Sequence, residues 1–316
     1  MPLRHATLTA TAALVAAAAL AGAGPAASSA PAATAAPIDH TNASGGMWNL
    51  MNPGKPWPGT DDWSCRPPAE HPNPVILVHG LGANGLNQWS GMAPSLVEEG
   101  YCVYAPTWGA LPDHPGIGSR APFRESQAEM ADYVDRVLTA TGAQKVDLVG
   151  LSAGVPVVAH LAKVDRPGKV GRAVLMAGNL YGDANKLPGT NPETAASVEN
   201  AFRSSPLGAG LTDEAFTAET WKGGTPFHPE TEYTILAGIH DQASPPSAAF
   251  VHVPGATQIV IQDGCPENLA DHVSFAVDPR AIDHTLNALD PENAVTPRCL
   301  PTLPIIGLLG PVPPRG

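Results

Sequence analysis

Charge is scarce in this sequence, and no cluster of basic residues stands out. Charged residues make up 15% of the 316 positions, and 17 lysines and arginines are outnumbered by 29 aspartates and glutamates, so the formal net charge is −12. Domains that bind nucleic acid, and proteins that dock electrostatically on anionic membranes, usually carry a basic patch. We therefore expect no nucleic-acid partner. Hydrophobic residues reach 43%, which also excludes a chain that is disordered throughout.

Cysteine is also rare, with 4 residues in the whole chain. So few cysteines exclude a small domain held together mainly by disulfides. No two of them are close in sequence, so the paired spacing of a structural zinc site is missing and we expect no metal. An even number of cysteines favours disulfides if the chain is exported. Three pairings are open, and the favoured one joins Cys65 to Cys102 and Cys265 to Cys299.

Long apolar runs are rare, and the one that stands out lies near the start of the chain. Thr11–Gly22 reads TAALVAAAALAG, which is typical of a signal-peptide core and shorter than the ~18 residues that a membrane span requires. Ala33-Thr34-Ala35 offers a small-residue cleavage site behind it. We predict a secretory signal peptide over residues 1–36, with a membrane anchor as the alternative. The mature protein is then extracellular and has no integral membrane span.

The rest of the chain alternates apolar runs with amphipathic patterns. Helical patterns lie between the runs; Gly142 ends one helix, and Asp278 with Pro279 begins another. Strands that alternate with helices predict an α/β fold with a mostly parallel sheet flanked by helices. Short runs rich in branched residues are typical of strands buried on both faces, and they occur at 74–79, 101–105, 145–150, 173–177, 233–237 and 258–262.

The chain divides into an N-terminal extension over 37–60, a main domain over 61–300 and a Pro-rich extended tail over 301–316. Two stretches inside the main domain, Thr107–Pro122 and 181–229, do not follow the strand–helix alternation. In an enzyme such an insertion often covers the active site, and an ordinary long loop is the alternative. We expect the 181–229 stretch to be a lid-like insertion.

The strongest chemical signal is a serine between two glycines. Gly150-Leu151-Ser152-Ala153-Gly154 matches the pattern G-x-S-x-G, with a predicted strand before it and a predicted helix after it. In that context the serine lies on a tight strand-to-helix turn, where only glycine fits on either side. The turn lifts the hydroxyl above the sheet, near the positive end of the helix. Ser152 is therefore the candidate nucleophile.

A serine hydroxyl attacks only when a base removes its proton, and an acid must orient that base. In this architecture the acid follows a late strand and the histidine follows the last one. Asp241 comes after the strand YTILA, and His272 comes after the strand QIVIQ. We predict that Asp241 is the acid and His272 the base, with Asp271 as the nearest rival acid.

Other histidines are less suitable as the base. His240 precedes the last strand, and His160 lies inside the helix that follows Ser152. His284 is two positions from the apolar Ile282 on a helix, about 200° around its axis, so we expect it to face solvent.

The loop after the first strand is predicted to supply part of the oxyanion hole. Acyl transfer needs backbone N–H groups aimed at the developing oxyanion, and Ala153 and Leu81 are the candidate donors. The same loop reads GLGANG, from Gly80 to Gly85, which matches a dinucleotide-binding pattern. That pattern needs an acidic residue at the end of the next strand, and the sequence there is YAPT. We therefore expect no nucleotide and no other cofactor.

Several segments together resemble a known family. PVILVHGLGAN, GYCVYAPTWG, VDLVGLSAG, the HDQASP loop and the DH pair before a helix are similar to the secreted actinobacterial lipases of the class 2 lipase family, within the α/β-hydrolases. The resemblance covers about residues 60–300, and the four cysteines match the usual placement. It implies an α/β-hydrolase fold, ester substrates that are often acylglycerols, and no cofactor.

The resemblance also carries functional roles onto this sequence. One departure concerns the residues beside the serine, where many relatives have His and Gln and this chain has Leu151 and Ala153. These side chains touch the site wall without performing the chemistry, so the departure bears on substrate preference. The roles implied are nucleophile for Ser152, acid for Asp241, base for His272, and oxyanion donors for Leu81 and Ala153.

The sequence thus predicts an exported, monomeric serine carboxylic-ester hydrolase that acts as a triacylglycerol lipase on an ester or lipid substrate. A short-chain or polymer esterase, or an acyltransferase, is the alternative among enzymes. An inactive exported binding protein on a hydrolase scaffold is the alternative from another class.

Overall fold

In the computed structural model of the protein, the described residues are 38–181 and 213–315. The expected signal peptide and most of the expected 181–229 insertion lie outside the described residues. The described residues all belong to one compact unit. Within the described ranges, no helix is long and apolar enough to cross a membrane.

The centre of the protein is a six-stranded parallel sheet with the strand order β2-β1-β3-β4-β5-β6. The expected α/β architecture is therefore confirmed. Every pair of neighbouring strands is parallel, so all the strands end at the same edge of the sheet. The strands are β1 (Val75–Val78), β2 (Val103–Tyr104), β3 (Val146–Leu151), β4 (Val170–Met176), β5 (Glu232–Ala237) and β6 (Ala256–Val260).

Helices cover both faces of this sheet. Alternate side chains of a strand point to opposite faces, so Ile76 and Val78 join one apolar core while Val75 and Leu77 join the other. A strand that is apolar at every position is therefore buried on both sides. The helices are α1 (Asn42–Met51), α2 (Met92–Glu98), α3 (Phe123–Thr141), α4 (Gly154–His160, continued by a π-helical turn, Leu161–Asp165), α5 (Glu214–Thr220), α6 (Pro246–Ala249) and α7 (Pro279–Leu289).

Local helix signals in the sequence act as expected. Gly142 caps the C-terminus of α3 in the left-handed conformation, with φ of 75°. At the start of α7 the Asp278 carboxylate accepts a hydrogen bond from the Ala281 N–H, and Pro279 occupies the first turn. Each of these features depends on a single residue. Glycine adopts the left-handed conformation because it has no side chain, the aspartate carboxylate accepts from a free N–H, and proline has no N–H that would need a partner.

Three strand predictions differ from the structure by two residues or more, and β4 starts three residues earlier than expected. The expected run 101–105 contributes only the two residues of β2 to the sheet. The last strand, β6, starts two residues earlier than expected and is largely half-buried or exposed, whereas both residues of β2, at the other edge of the sheet, are buried.

The C-terminal segment is packed against the body rather than extended. Thr302 and Leu308 are buried. Leu303 and Gly307 bond to each other, and the Leu308 N–H donates to the His40 carbonyl just before α1. The two chain segments that flank the main domain therefore meet on its surface.

Two disulfides join distant loops to the core. Cys65 pairs with Cys102 at a sequence separation of 37, and Cys265 pairs with Cys299 at a separation of 34. These are the two pairs that the sequence favoured. The second bridge holds the segment after β6, which leads to His272, against the chain near residue 300.

Candidate active site

Ser152 lies on the turn between β3 and α4, in a backbone conformation that side chains rarely adopt. Its φ is 54°, a left-handed value that costs of order 1–3 kcal/mol for a residue with a side chain. A methyl group at Gly154 would lie 2.1 Å from the Val78 carbonyl oxygen, and one at Gly150 would lie 2.8 Å from the Gly154 oxygen. Both flanking glycines are therefore required by packing.

The three residues proposed as a triad are joined by hydrogen bonds. The His272 Nε2 atom lies 2.9 Å from the Ser152 hydroxyl oxygen. The His272 Nδ1 atom lies 2.9 Å from one carboxylate oxygen of Asp241 and 3.0 Å from the other. An imidazole held in this way carries its proton on Nδ1 and leaves Nε2 free to accept the serine proton.

The Asp241 carboxylate is buried and held in place by the backbone. One oxygen accepts hydrogen bonds from the N–H groups of Ala243 and Ser244, at 2.8 and 2.7 Å. Its side chain is fully shielded from solvent, whereas the His272 side chain keeps 20% of its surface exposed. The Asp241 carboxylate is thus shielded from water, while the His272 imidazole remains accessible to it.

Asp271, the rival acid, has a different role. Its carboxylate accepts hydrogen bonds from the Ser274 hydroxyl and N–H. It also accepts one from the Ile305 N–H. The carboxylate therefore braces the loop that carries His272 and connects it to the C-terminal segment.

The rival histidines His160 and His284 do not line the cavity above Ser152. The His160 Nδ1 atom lies 2.8 Å from the Thr220 hydroxyl oxygen, on α5. His284 does not face solvent as expected: it is half-buried, its Nε2 atom has no partner among the described residues, and burial lowers its pKa to about 4. His284 and Pro297 line the same surface cavity, so the chain after α7 lies near this side of the helix.

The peptide between Gly80 and Leu81 is held at its carbonyl oxygen by the His79 side chain. The Gly80 carbonyl oxygen is 2.8 Å from His79 Nδ1, and the Trp108 N–H donates to His79 Nε2 at 3.1 Å. Because Nε2 accepts, Nδ1 must carry the proton and donate to Gly80. The N–H and C=O of a trans peptide point in opposite directions, so the Leu81 N–H is directed away from His79.

Both candidate oxyanion donors are free to bind a ligand. In the described part of the chain, neither the Leu81 N–H nor the Ala153 N–H has an acceptor, and both residues line the cavity above Ser152. His79 is completely buried, and this burial lowers its pKa to about 4. The imidazole is therefore neutral near pH 7 and keeps its donor on the Gly80 carbonyl.

The cavity above Ser152 has a volume of about 660 Å³. Sequence reasoning missed Asn42 and Gly46 of α1, Gln88 before α2 and Phe123 at the start of α3. Nothing in the sequence around these residues indicates a site. Apolar lining is supplied by Leu81, Phe123, Leu151, Pro156 and Val273, and polar or small lining by Asn42, Gly46 and Gln88.

One group of side chains has the spacing of a metal site in the described ranges, namely Cys265, Glu267 and Cys299. The two sulfurs are bonded to each other, so they are not available as thiolate ligands. The group also lies outside the cavity above Ser152.

Comparison with known proteins identifies the fold. Residues 73–219 match the family model described as alpha/beta hydrolase fold. Together with the six parallel strands and the strand–serine–helix turn, this match shows that the chain has the α/β-hydrolase fold.

The curated relatives match shorter parts of the chain. A triacylglycerol lipase of Vibrio cholerae is 28% identical over 177 residues, which cover 54% of this chain and 51% of that protein. A triacylglycerol lipase of Pseudarthrobacter phenanthrenivorans is 37% identical over 86 residues, or 26% of this chain and 25% of that protein. The chain thus matches about half of the length of these relatives, or less.

Solved structures with a similar arrangement include two hydrolases. A pyrethroid hydrolase of Sphingobium faniae has a TM-score of 0.49 and 18% identity, over 69% of this chain and 97% of that chain. The carboxylesterase CesB of Bacillus subtilis has a TM-score of 0.45 and 15% identity, over 71% of this chain and 85% of that chain.

Proposed function

We propose that this member of the α/β-hydrolase superfamily is a serine carboxylic-ester hydrolase, with Ser152 as nucleophile, His272 as base and Asp241 as acid. The observation that carries the proposal is the unbroken chain of contacts, 2.9 Å from Ser152 Oγ to His272 Nε2 and 2.9 Å from His272 Nδ1 to Asp241. The N–H groups of Leu81 and Ala153 complete it as the oxyanion hole.

The first half of the reaction forms an acyl-enzyme. His272 takes the Ser152 proton as the hydroxyl oxygen attacks the ester carbonyl carbon, and the carbonyl oxygen becomes an oxyanion held by the two N–H groups. The buried Asp241 carboxylate stabilises the imidazolium. As the tetrahedral intermediate collapses, the imidazolium gives its proton to the leaving alcohol.

The second half repeats these steps with water. His272 takes a proton from a water molecule that attacks the acyl-enzyme, and it then returns a proton to the Ser152 oxygen as the acid leaves. The partial exposure of the imidazole gives that water a route to Nε2.

We infer a lipid ester as substrate, as for a triacylglycerol lipase of the class 2 lipase family. The wall of the cavity is largely apolar, and its rim is apolar too. Helix α1 contains no charged residue; Gly46 lines the cavity, and Met47, Leu50 and Met51 next to it are 58%, 73% and 70% exposed. The curated relatives with this partial match are named triacylglycerol lipases.

We also infer that the chain acts outside the cell. The apolar run Thr11–Gly22 and the site Ala33-Thr34-Ala35 fit a cleaved export signal, and two disulfides are usual in an oxidising compartment. N-terminal sequencing of the protein from the culture medium tests this: a start near residue 37 is expected, and retention of the uncleaved chain in the cells would contradict export.

The test of the activity is a Ser152→Ala variant assayed with p-nitrophenyl esters of increasing chain length and with emulsified triolein. Loss of the nucleophile should lower kcat by about 10⁶, with the melting temperature retained as the control for folding. Wild-type hydrolysis of triolein supports a lipase, and activity confined to short chains would replace the lipase with an esterase. A fluorophosphonate probe that fails to label Ser152 in the wild type would favour an inactive binding protein instead.

A further inference from the structure

The side chain of Gln88 reaches the oxyanion loop from the segment before α2. Its Oε1 atom accepts a hydrogen bond of 2.5 Å from the Gly80 N–H, and the residue lines the cavity above Ser152. Since a backbone N–H can only donate, the carboxamide oxygen must face Gly80. The orientation of the amide is thereby fixed, and its NH₂ group lies on the other side.

That NH₂ group has no acceptor in residues 38–181 and 213–315, and it lies close to Gly80, as the nucleophile does. A methyl group on Gly80 would be 3.1 Å from Ser152 Cβ and 3.6 Å from Gln88 Nε2, so the amide nitrogen and the serine are on the same side of Gly80. Two other amides of the region donate within the protein: Asn84 Nδ2 donates to the Gly116 carbonyl, and Gln127 Nε2 donates to the Val157 carbonyl.

The position of Gln88 is fixed by tight packing around its segment. A methyl group at Gly45 of α1 would lie 2.2 Å from the Asn87 carbonyl oxygen, so the helix packs directly against the residue before Gln88. The side-chain amide oxygen of Asn84 accepts hydrogen bonds from the N–H groups of Leu86 and Asn87. A donor held in this way needs little reorganisation when a substrate binds.

We propose that Gln88 is a third hydrogen-bond donor to the oxyanion, in addition to the N–H groups of Leu81 and Ala153. Its oxygen holds Gly80, the residue directly before the Leu81 donor, while its nitrogen donates to the ester oxygen on which negative charge develops. The inference rests on the proposed ester hydrolysis. Its chemistry is suited to a carbonyl substrate, because an amide N–H stabilises an oxyanion and cannot itself move a proton at neutral pH.

Two variants separate the two ends of the carboxamide. Gln88→Glu keeps an oxygen for the Gly80 N–H and loses the donor, whereas Gln88→Met removes both polar groups at similar size. With a soluble p-nitrophenyl ester, we expect both variants to lose roughly 10²-fold in kcat with KM changed less than about threefold, since one oxyanion donor is worth this much. Wild-type kcat in Gln88→Glu would reduce Gln88 to a positioning residue, and wild-type kcat in Gln88→Met would remove it from the mechanism.

A spectroscopic readout distinguishes donation from the charge that glutamate brings. A phosphonate ester on Ser152 places a phosphoryl oxygen in the oxyanion hole. We expect the side-chain amide protons of Gln88 to shift downfield and exchange more slowly in this adduct, while those of Gln127 stay unchanged as the matched control. If the adduct forms and the Gln88 signals do not move, the third donor is refuted; if no adduct forms, the proposed hydrolase function itself fails.

Discussion

The turn at Ser152 and the mouth of the cavity are built in different ways. At the turn, Gly150, Ser152 and Gly154 lie within five residues of the chain, and main-chain atoms of Gly154 and of the neighbouring strand β1 leave no room for a side chain at either glycine. At the mouth, Asn42 of α1 donates to the carbonyl oxygens of Val273 and Ile305, which are 231 and 263 residues away. The turn that carries the nucleophile is therefore specified by a short sequence motif, whereas the surface that a substrate meets first depends on both ends of the domain coming together.

The turn and the mouth are therefore expected to control different properties, the rate of the chemical step and the choice of ester. Local constraint gives the nucleophile a single geometry, which is what a chemical step needs. Long-range contacts between exposed segments are weaker individually, so the mouth can vary without loss of the chemistry. We expect changes at the turn and its partners to abolish kcat, and changes at the mouth to alter which esters are accepted.

The largest effect after loss of Ser152 is expected from Asp241→Asn. The amide is neutral, so it does not stabilise the imidazolium. Its NH₂ group can also donate to His272 Nδ1, which favours the tautomer with the proton on Nε2. We expect kcat to fall by about 10⁴ with the fold intact. Steady-state kinetics on a soluble ester measure this, and Asp271→Asn, which alters the rival acid, should lose far less. Equal losses in the two variants would contradict the assignment of the acid.

A methyl group added at the turn should cost stability, and one added at the mouth should not. Gly154→Ala places a carbon 2.1 Å from the Val78 oxygen, while Gly46→Ala, in α1, meets no atom within 4 Å. We expect the first to lower the free energy of unfolding by about 3 kcal/mol or more. The second should raise it by about 0.5–1 kcal/mol, because alanine is the better helix former. Urea denaturation compares the two variants, and equal stabilities would show that the turn is not sterically tight.

Stability should fall in mild acid because His79 is buried in its neutral form. Its pKa is lowered from 6.5 to about 4 by burial, so between these pH values the unfolded chain binds the proton and the folded chain does not. The contribution is fully present above about pH 6.5 and is lost as the pH falls towards 4, at a cost of about 3 kcal/mol.

Urea denaturation at pH 7 and at pH 4.5 measures this dependence. We expect His79→Gln to be less stable than the wild type at pH 7 and to show a smaller difference between the two pH values. His114→Gln, at an exposed position, is the control and should leave the difference unchanged. The same pH dependence in all three proteins would exclude His79 as its source.

The smallest effect is expected at the mouth itself. Asn42→Ala removes the two hydrogen bonds that join α1 to the loop after His272 and to the C-terminal segment. We expect a loss of about 1–2 kcal/mol in the free energy of unfolding. Hydrolysis of emulsified triolein should fall relative to that of a short soluble ester. Asn49→Ala on the same helix serves as the control, and an unchanged ratio in Asn42→Ala would separate α1 from substrate choice.

The fold and the centre of the candidate site could be predicted from the sequence because their signals are short-range. The strands of the parallel sheet are continuous apolar runs, and Ser152 is marked by the glycines that its turn requires. Asp241 and His272 follow strands, and parallel strands end at one edge, so their proximity follows from topology. His284 and β6 were misjudged because the covering of a helix face or a sheet edge depends on segments far away in the chain.

Taken alone, the sequence determined which residue types carry the chemistry and the order in which the fold presents them, since these depend on glycine sterics, capping and strand ends. Tertiary structure decided what surrounds them. It brought α1 and the C-terminal segment together at the mouth, bound the Gly80 carbonyl to the His79 side chain, and placed the amide of Gln88 against Gly80. The physical reason is that such contacts join residues with no shared local pattern, so only the packed chain brings them within hydrogen-bonding distance.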